Sequence, residues 1–360
     1  MNGAATVEAD QEACLAIIRE GSRSFHFASL VLPREVRRSA IALYAFCRVA
    51  DDLVDAPGAR TDATNLLRQR IAAAYDGRPF DHPADRAFAR TVELHGIPDT
   101  VPLSLIEGFE WDMAGRAYRN LGDVLDYAAR VAGTVGVMMS LIMGRRSRRT
   151  LARACDLGVA MQLVNIARDV GEDARNGRCY LPEDWLAKEG LSAAQLIAEP
   201  AFGAGIANVV ERLLDEADRI AVRARTGIGD LPRACRPGVR AAALVYGAIG
   251  TQVRANGCNS IDHRAHTSAS QKLSLLVRAL ANPLEPNVCD DAPALAEVDY
   301  LVRDAANPGE DPRSAGERFA ELIARLEQRD RSAMWQSDVQ GGTPPPWRRA
   351  QVSEGTASAG

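Results

Sequence analysis

Residues 158–182 read GVAMQLVNIARDVGEDARNGRCYLP, and this stretch decides the fold. Within it Gln162, Asn165, Asp169 and Asp173 follow steps of three, four and four. That spacing puts them on one face of a helix, one above another. The other faces carry Val159, Ala160, Leu163, Val164, Ile166 and Ala167, which suit a crowded interior. A polar stripe on an otherwise apolar helix is costly to bury unless something pairs with it. Two carboxylates a turn apart, with an amide before them, make a seat for a hard cation such as Mg²⁺. A solvated helix face is the competing reading of one such pair taken alone.

A second stretch changes that balance. Residues 44–55 read YAFCRVADDLVD, and Tyr44, Arg48, Asp51 and Asp55 again form a single helical stripe. Its flanks, Ile41, Leu43, Phe46, Leu53 and Val54 among them, are apolar. Each stripe has an arginine close by, Arg48 in the first and Arg168 in the second. If the stripes face each other, carboxylates from both converge on one cavity, where they would repel without cations. Mg²⁺ binds through a few carboxylates and completes its shell with water and substrate phosphates. Arginine grips phosphate oxygens bidentately. The two stripes together predict a Mg²⁺–diphosphate site inside a helical bundle.

The rest of the chain fits a bundle. The hydrophobic share is 47% and the aromatic share only 5%, so the apolar load is Ala, Leu, Val and Ile. Lys and Arg number 43 against 47 Asp and Glu, which gives no reason to expect nucleic acid. Seven scattered cysteines with no Cys-x-x-Cys point to a reducing, cytoplasmic setting. His263 and His266 read as ordinary polar surface, a pair without a third ligand. The first residues lack the layout of a signal peptide, and the apolar run 131–143 has the length of a buried helix rather than a membrane span.

In chain order, Asp10 precedes a short helix that Gly21 stops, and residues 22–26 read as a polar loop whose hydroxyls and guanidinium could serve phosphate. Pro33 opens the first acidic helix. Helices follow at about 62–75, 83–95, 102–114, 123–143, 150–173, 205–226, 238–256 and 269–280. Gly133 and Gly136 lie inside one of them, where a close backbone approach or a ligand is a fair reason for them. Tyr246 sits in an alanine-rich stretch, where its hydroxyl needs a partner. The division expected is an all-α domain over residues 1–282, a helical extension over 283–330, and a disordered tail over 331–360.

These motifs resemble the squalene/phytoene synthase family. The resemblance is carried by Gly21-Ser-Arg-Ser-Phe25, residues 44–55, Ala132-Gly-Thr-Val-Gly136, residues 162–173 and Arg178-Cys-Tyr-Leu-Pro182, and runs from about Ala13 to Leu280. It implies an all-α isoprenoid-synthase bundle around a deep central cavity. It implies that Asp51, Asp55, Asn165, Asp169 and Asp173 hold Mg²⁺ or Mn²⁺. Ser22, Ser24, Tyr44, Arg48, Gln162, Asn165, Arg168, Arg178, Tyr180, Tyr246 and Arg264 would contact the substrates. Tyr44, Arg48, Asp51, Asp55, Arg168 and Asp169 would carry the chemistry. Asp52 and Glu172 lie about a hundred degrees off their stripes and are expected to face away. The chain departs from its relatives at Cys258 and at Asp262, His263 and His266 around Arg264.

The activity so implied is head-to-head condensation of two geranylgeranyl diphosphates to phytoene, through a cyclopropylcarbinyl diphosphate. The same machinery makes squalene or dehydrosqualene from farnesyl diphosphate. A chain-elongating prenyltransferase would lack the Asn165-x-x-x-Asp169 form, and a non-catalytic lipid-binding or scaffold homologue would shed the site residues retained here. A hydrophobic product further implies peripheral contact with the inner membrane. Oligomeric state is not readable from the sequence.

Overall fold

Helix-forming residues dominate from end to end, and the structure follows them. A computed structural model describes residues 2–21, 23–55, 61–281 and 292–306, and among these every regular element is helical. The order is α1 (Asn2–Gly21), α2 (Arg23–Ser29), α3 (Arg34–Asp55), α4 (Thr61–Tyr75), α5 (Pro83–His95), α6 (Thr100–Met113) and α7 (Leu121–Ala128). A π turn (Ala129–Gly133) leads into α8 (Thr134–Ile142). Then come α9 (Arg148–Arg175), α10 (Glu183–Lys188), α11 (Ala193–Ala198), α12 (Ala204–Arg225), α13 (Arg236–Ala255), α14 (Ala269–Ala281) and α15 (Asp299–Ala305).

The bundle is built on α9. Ser147 caps it, accepting a hydrogen bond from the Thr150 amide through its side chain. Its apolar residues are buried on several sides, because α8, α12, α13 and the π turn all pack against it. Two glycines set how close these neighbours come. A Cβ on Gly136 would lie 2.2 Å from the Ala154 carbonyl oxygen, and one on Gly158 would lie 2.3 Å from that of Ala132. The crossing of α8 and the π turn over α9 is therefore a backbone-to-backbone contact that no side chain could share.

Helix α3 is buried on both sides. Ile41, Ala42 and Ala45 face Cys14 and Ile18 of α1 and Ala84 and Ala87 of α5. Leu43, Phe46 and Ala50 join the main core, with the Phe46 ring stacked 4.0 Å from that of Phe88. After Ala292 the chain returns to that same core: Val298, Leu301, Val302 and Ala305 are all buried in it. All described residues fall in one compact unit, Met1–Asn307. The expected helical extension beyond residue 306 and the tail expected at 331–360 lie outside the described residues.

Three sequence expectations need correcting. Asp10 does not cap a helix; α1 begins at Asn2, and Asp10 is 1% exposed, gripped by Arg86 at 2.6 Å and Arg90 at 2.7 Å. Long-range pairing, invisible to local pattern, placed it there. Of the loop expected at 22–26, residues 23–26 are helical instead, since α2 runs from Arg23 and seats Phe25 on the ring of Tyr44, centroids 5.0 Å apart. The helix expected at 123–143 is interrupted by the π turn. Joined through that turn, Leu121–Ile142 is long and apolar enough to cross a bilayer by composition, but 61% of its most apolar part is buried within the protein. It is the core strut of this bundle.

Candidate active site

Helix periodicity brings the two stripes to one place. A cavity of about 340 Å³ is enclosed by α2, α3, the π turn, α8, α9 and α13. Tyr44 and Cys47 of α3 line it, as do Gln162 and Asn165 of α9 and Tyr246 of α13. Most of the rest of its wall is apolar, with Leu43, Val135, Met139, Leu157, Met161 and Val245 representative, and Ser29, Thr150 and Arg153 also line it. The polar residues cluster where the stripes begin, and the acids follow along each helix. Asp51 is one turn beyond Cys47, while Asp169 and Asp173 are one and two turns beyond Asn165, about 6 and 12 Å along the axis. The acids therefore stand at the polar end of a greasy chamber.

Asp51, Asp52, Asp169 and Glu172 are each paired with an arginine. The Arg48 guanidinium bridges Asp51 at 3.2 Å and Asp52 at 2.6 Å. Arg168 chelates Asp169 at 2.8 and 2.5 Å, and Arg264 reaches the same carboxylate at 2.8 Å. Burial alone would push the Asp169 carboxyl up, but hydrogen bonds from Arg168 and Arg264 hold it below the usual carboxylate range. Arg264 also meets Glu172 at 3.2 Å, so this arginine is drawn to the acidic end despite its unusual neighbours. Asp52 and Glu172 are more than half exposed, as their off-stripe positions predict.

Asp173 is the exception. Burial, then the charges of Asp169 and Glu172, push its carboxyl up to about 7. A half-buried carboxyl crowded by like charge is a position where a divalent cation relieves repulsion. Among the described residues no three acidic, histidine or cysteine side chains gather in one metal-sized cluster. Mg²⁺ in general takes one or two carboxylates and leaves its other positions to water and phosphate. The carboxylate and amide oxygens along each stripe are donors of the kind that hard divalent cations take.

The remaining expected residues divide clearly. Gln162 accepts a hydrogen bond from Asn165 at 3.3 Å, so both amides are oriented on the cavity wall. Tyr246 lies within electrostatic reach of Arg168. Gly21 closes on the first stripe; a Cβ there would sit 2.7 Å from the Tyr44 hydroxyl. Arg178 is half-buried and its charge pulls the Asp173 carboxyl down against burial. Tyr180 is buried away from the cavity wall, donating to Asp112 at 2.8 Å. Ser22 lies outside the described residues. Ser24 and Asp55 fall within α2 and α3, and their side chains are outside the description.

Sequence reasoning missed Asp112. Its carboxylate accepts from Tyr127 at 2.9 Å and from Tyr180 at 2.8 Å, whose rings stack 4.9 Å apart. It thereby ties residues 178–182 to α6 and α7 beneath the acidic end of α9. No periodicity could have revealed it, because its partners are 15 and 68 residues away. The π turn was missed too; it puts Val131 and Ala132 on the cavity wall, and such turns recur at functional sites.

Comparison with known proteins agrees with this geometry. A sequence model of the squalene/phytoene synthase family matches residues 18–271. The chain is 48% identical to a phytoene synthase of Rhodobacter capsulatus, over 90% of this chain and 98% of that protein. It is 43% identical to a 15-cis-phytoene synthase of a Paracoccus species, over 72% of this chain and 87% of the relative. Among solved structures it resembles a dehydrosqualene synthase bound to a ligand, with a TM-score of 0.70 and 27% identity, covering 76% of this chain and 96% of that one. A squalene synthase from Alicyclobacillus acidocaldarius follows, with a TM-score of 0.65 and 26% identity over 70% of this chain and 96% of its own.

Proposed function

The chain belongs to the squalene/phytoene synthase family, and from that membership we infer that it is a prenyltransferase condensing two geranylgeranyl diphosphates head to head into 15-cis-phytoene. The observation that supports the reading is the largely apolar cavity lined by Tyr44 from the first stripe and by Gln162 and Asn165 from the second. Divalent cations, Mg²⁺ foremost, are proposed at Asp51 and Asp55 on α3 and at Asn165, Asp169 and Asp173 on α9. When bound, they neutralise the charge that grows on departing diphosphate.

The protein's own groups do the rest. Arg48 and Arg168, already aimed along the stripes, take diphosphate oxygens and stabilise the leaving group as the allylic C–O bond breaks. The second molecule's double bond attacks the resulting cation, and loss of a proton from the joined carbons closes a cyclopropane ring, giving a cyclopropylcarbinyl diphosphate. A second ionisation, rearrangement and loss of a proton then give the hydrocarbon. Such cations would be quenched by water, and the wall of Leu43, Val135, Met139, Leu157 and Met161 keeps it out. Tyr44, stacked on Phe25, and Tyr246 place hydroxyls in the chamber near the site of ionisation.

The test is product identity. Purified protein given Mg²⁺ and the C20 diphosphate should release phytoene and two diphosphates per turnover, and should discriminate against the C15 diphosphate. A C30 hydrocarbon formed preferentially from the C15 substrate would overturn the reading in favour of squalene or dehydrosqualene synthesis.

A further inference from the structure

Helix α14 carries an apolar stripe on its outer face. Leu273, Val277 and Leu280 recur at steps of four and three and are 56, 56 and 53% exposed. Three large aliphatic side chains in a row on a surface helix mark a face that meets something apolar.

What surrounds the stripe narrows the choice. Arg240 of α13 donates to the Ala279 carbonyl at 2.6 Å, which fixes the C-terminal end of α14 beside the first turns of α13. Two residues earlier on α13, Gly238 abuts Leu32 and the Ala28 carbonyl, so the turn between α2 and α3 lies at the same level. Leu30, 48% exposed, projects from that turn. A small cluster of Met143, Leu231 and Cys235, with Leu32, Val36 and Val239 packed on it, joins the end of α8 to this region. Four segments thus meet at one end of the molecule. Among the described residues of these segments the exposed charges are Arg34, Arg145, Arg233 and Arg278, against one acid, Glu35. None of these four arginines has an ion-pair partner among the described residues. The chain as a whole carries a net charge of −4, so this basic end is a local concentration rather than a general property.

The same end closes the cavity. Met143, Leu231, Leu32 and Val239 belong both to the cluster and to the cavity wall. One layer of side chains therefore separates the apolar interior from the basic, aliphatic surface.

We propose that this end of the bundle, with the α14 stripe and Leu30 ringed by Arg34, Arg145, Arg233 and Arg278, is the surface by which the protein docks onto an anionic lipid bilayer. Aliphatic side chains enter the headgroup boundary while the arginines meet anionic headgroups. Placing it here lets a long hydrocarbon pass from cavity to lipid past one layer of side chains; this last point rests on the proposed function, whereas the docking itself does not. A second copy of the chain suits the surface less well, since two such faces would oppose arginine to arginine.

The experiment is vesicle flotation of the full chain, which requires no turnover and so separates this proposal from the catalytic one. The protein should float with vesicles of phosphatidylcholine and phosphatidylglycerol, and far less with phosphatidylcholine alone or at high salt. Replacing Arg233→Gln and Arg278→Gln together should lower the partition about thirtyfold. Replacing Leu273→Ser, Val277→Ser and Leu280→Ser should abolish residual binding while leaving turnover of detergent-dispersed substrate unchanged. That turnover also shows that both variants fold. Equal flotation of wild type and variants would overturn the proposal. So would sedimentation showing that the serine variant converts a dimer to a monomer with vesicle binding intact.

Discussion

At the scale of single residues, the account rests on which charges are committed and which are spare. Arg168 is held by Asp169 and interacts electrostatically with Tyr246, and it is the cation we propose to receive a leaving diphosphate. Arg168→Gln should lower kcat by about 10²–10³-fold, the usual effect of deleting one preorganised donor. Asp52→Asn should change turnover by no more than about twofold, because that side chain is more than half exposed and off the stripe. Steady-state kinetics on the pair separates the readings: equal losses in both variants would mean that the stripe geometry does not select the working residues. Helical phase separates Asp51 from Asp52 and Asp169 from Glu172 in the sequence, and side-chain exposure runs the same way, slightly for the first pair (45 against 56%) and strongly for the second (15 against 52%). Arg264 was only half legible. Its identity was visible, but its contact with Asp169 depends on where the segment after α13 returns, and no local pattern encodes that.

At the scale of elements, close backbone contact and buried ion pairs fix how helices sit. Gly158→Ala would drive a methyl group into the Ala132 carbonyl, which can move only with the π turn. We expect a loss of about 1–3 kcal/mol or more in urea unfolding, together with reduced activity, because Ala132 lines the cavity. Wild-type stability in that variant would show that the crossing is looser than described. Asp10 joins α1 to α5 through Arg86 and Arg90. Burial works against its charge, but the hydrogen bonds from those arginines prevail and hold its carboxyl below the ordinary 3.8. A depressed carboxyl stabilises the fold above its unfolded pKa and loses that contribution as pH falls through the folded one. Asp10→Asn should therefore cost about 3 kcal/mol at pH 7, with the arginines' partial exposure keeping it at the low end of the range for broken buried pairs. The gap between wild type and variant in thermal melts should shrink below about pH 4. A gap that stays constant down to pH 2 would contradict the assignment. The helices themselves could be read from apolar periodicity and capping. What could not be read were α2, whose short run is stabilised by packing Phe25 on Tyr44, and the π turn, which arises where Gly133 and Gly136 meet α9.

At the scale of the whole molecule, a bundle of ordinary helices becomes a reaction vessel because two of them carry polar ridges that open on one apolar chamber. The sequence revealed both ridges and the chamber's chemistry. It could not reveal Asp112, which clamps Tyr127 and Tyr180 from distant parts of the chain. Nor could it show that residues 292–306 return to the core, since their short apolar run has meaning only against α6, α9 and the π turn. The most direct measurement of the central claim is a crystal structure of the protein with Mg²⁺ and a non-ionisable thiolodiphosphate analogue of the C20 substrate. The account predicts metal ions on Asp51 and on Asp169, with the diphosphate between them and the prenyl chain in the cavity lined by Leu43, Met139 and Leu157. Diphosphate bound away from both aspartates, or a prenyl chain outside that cavity, would contradict it.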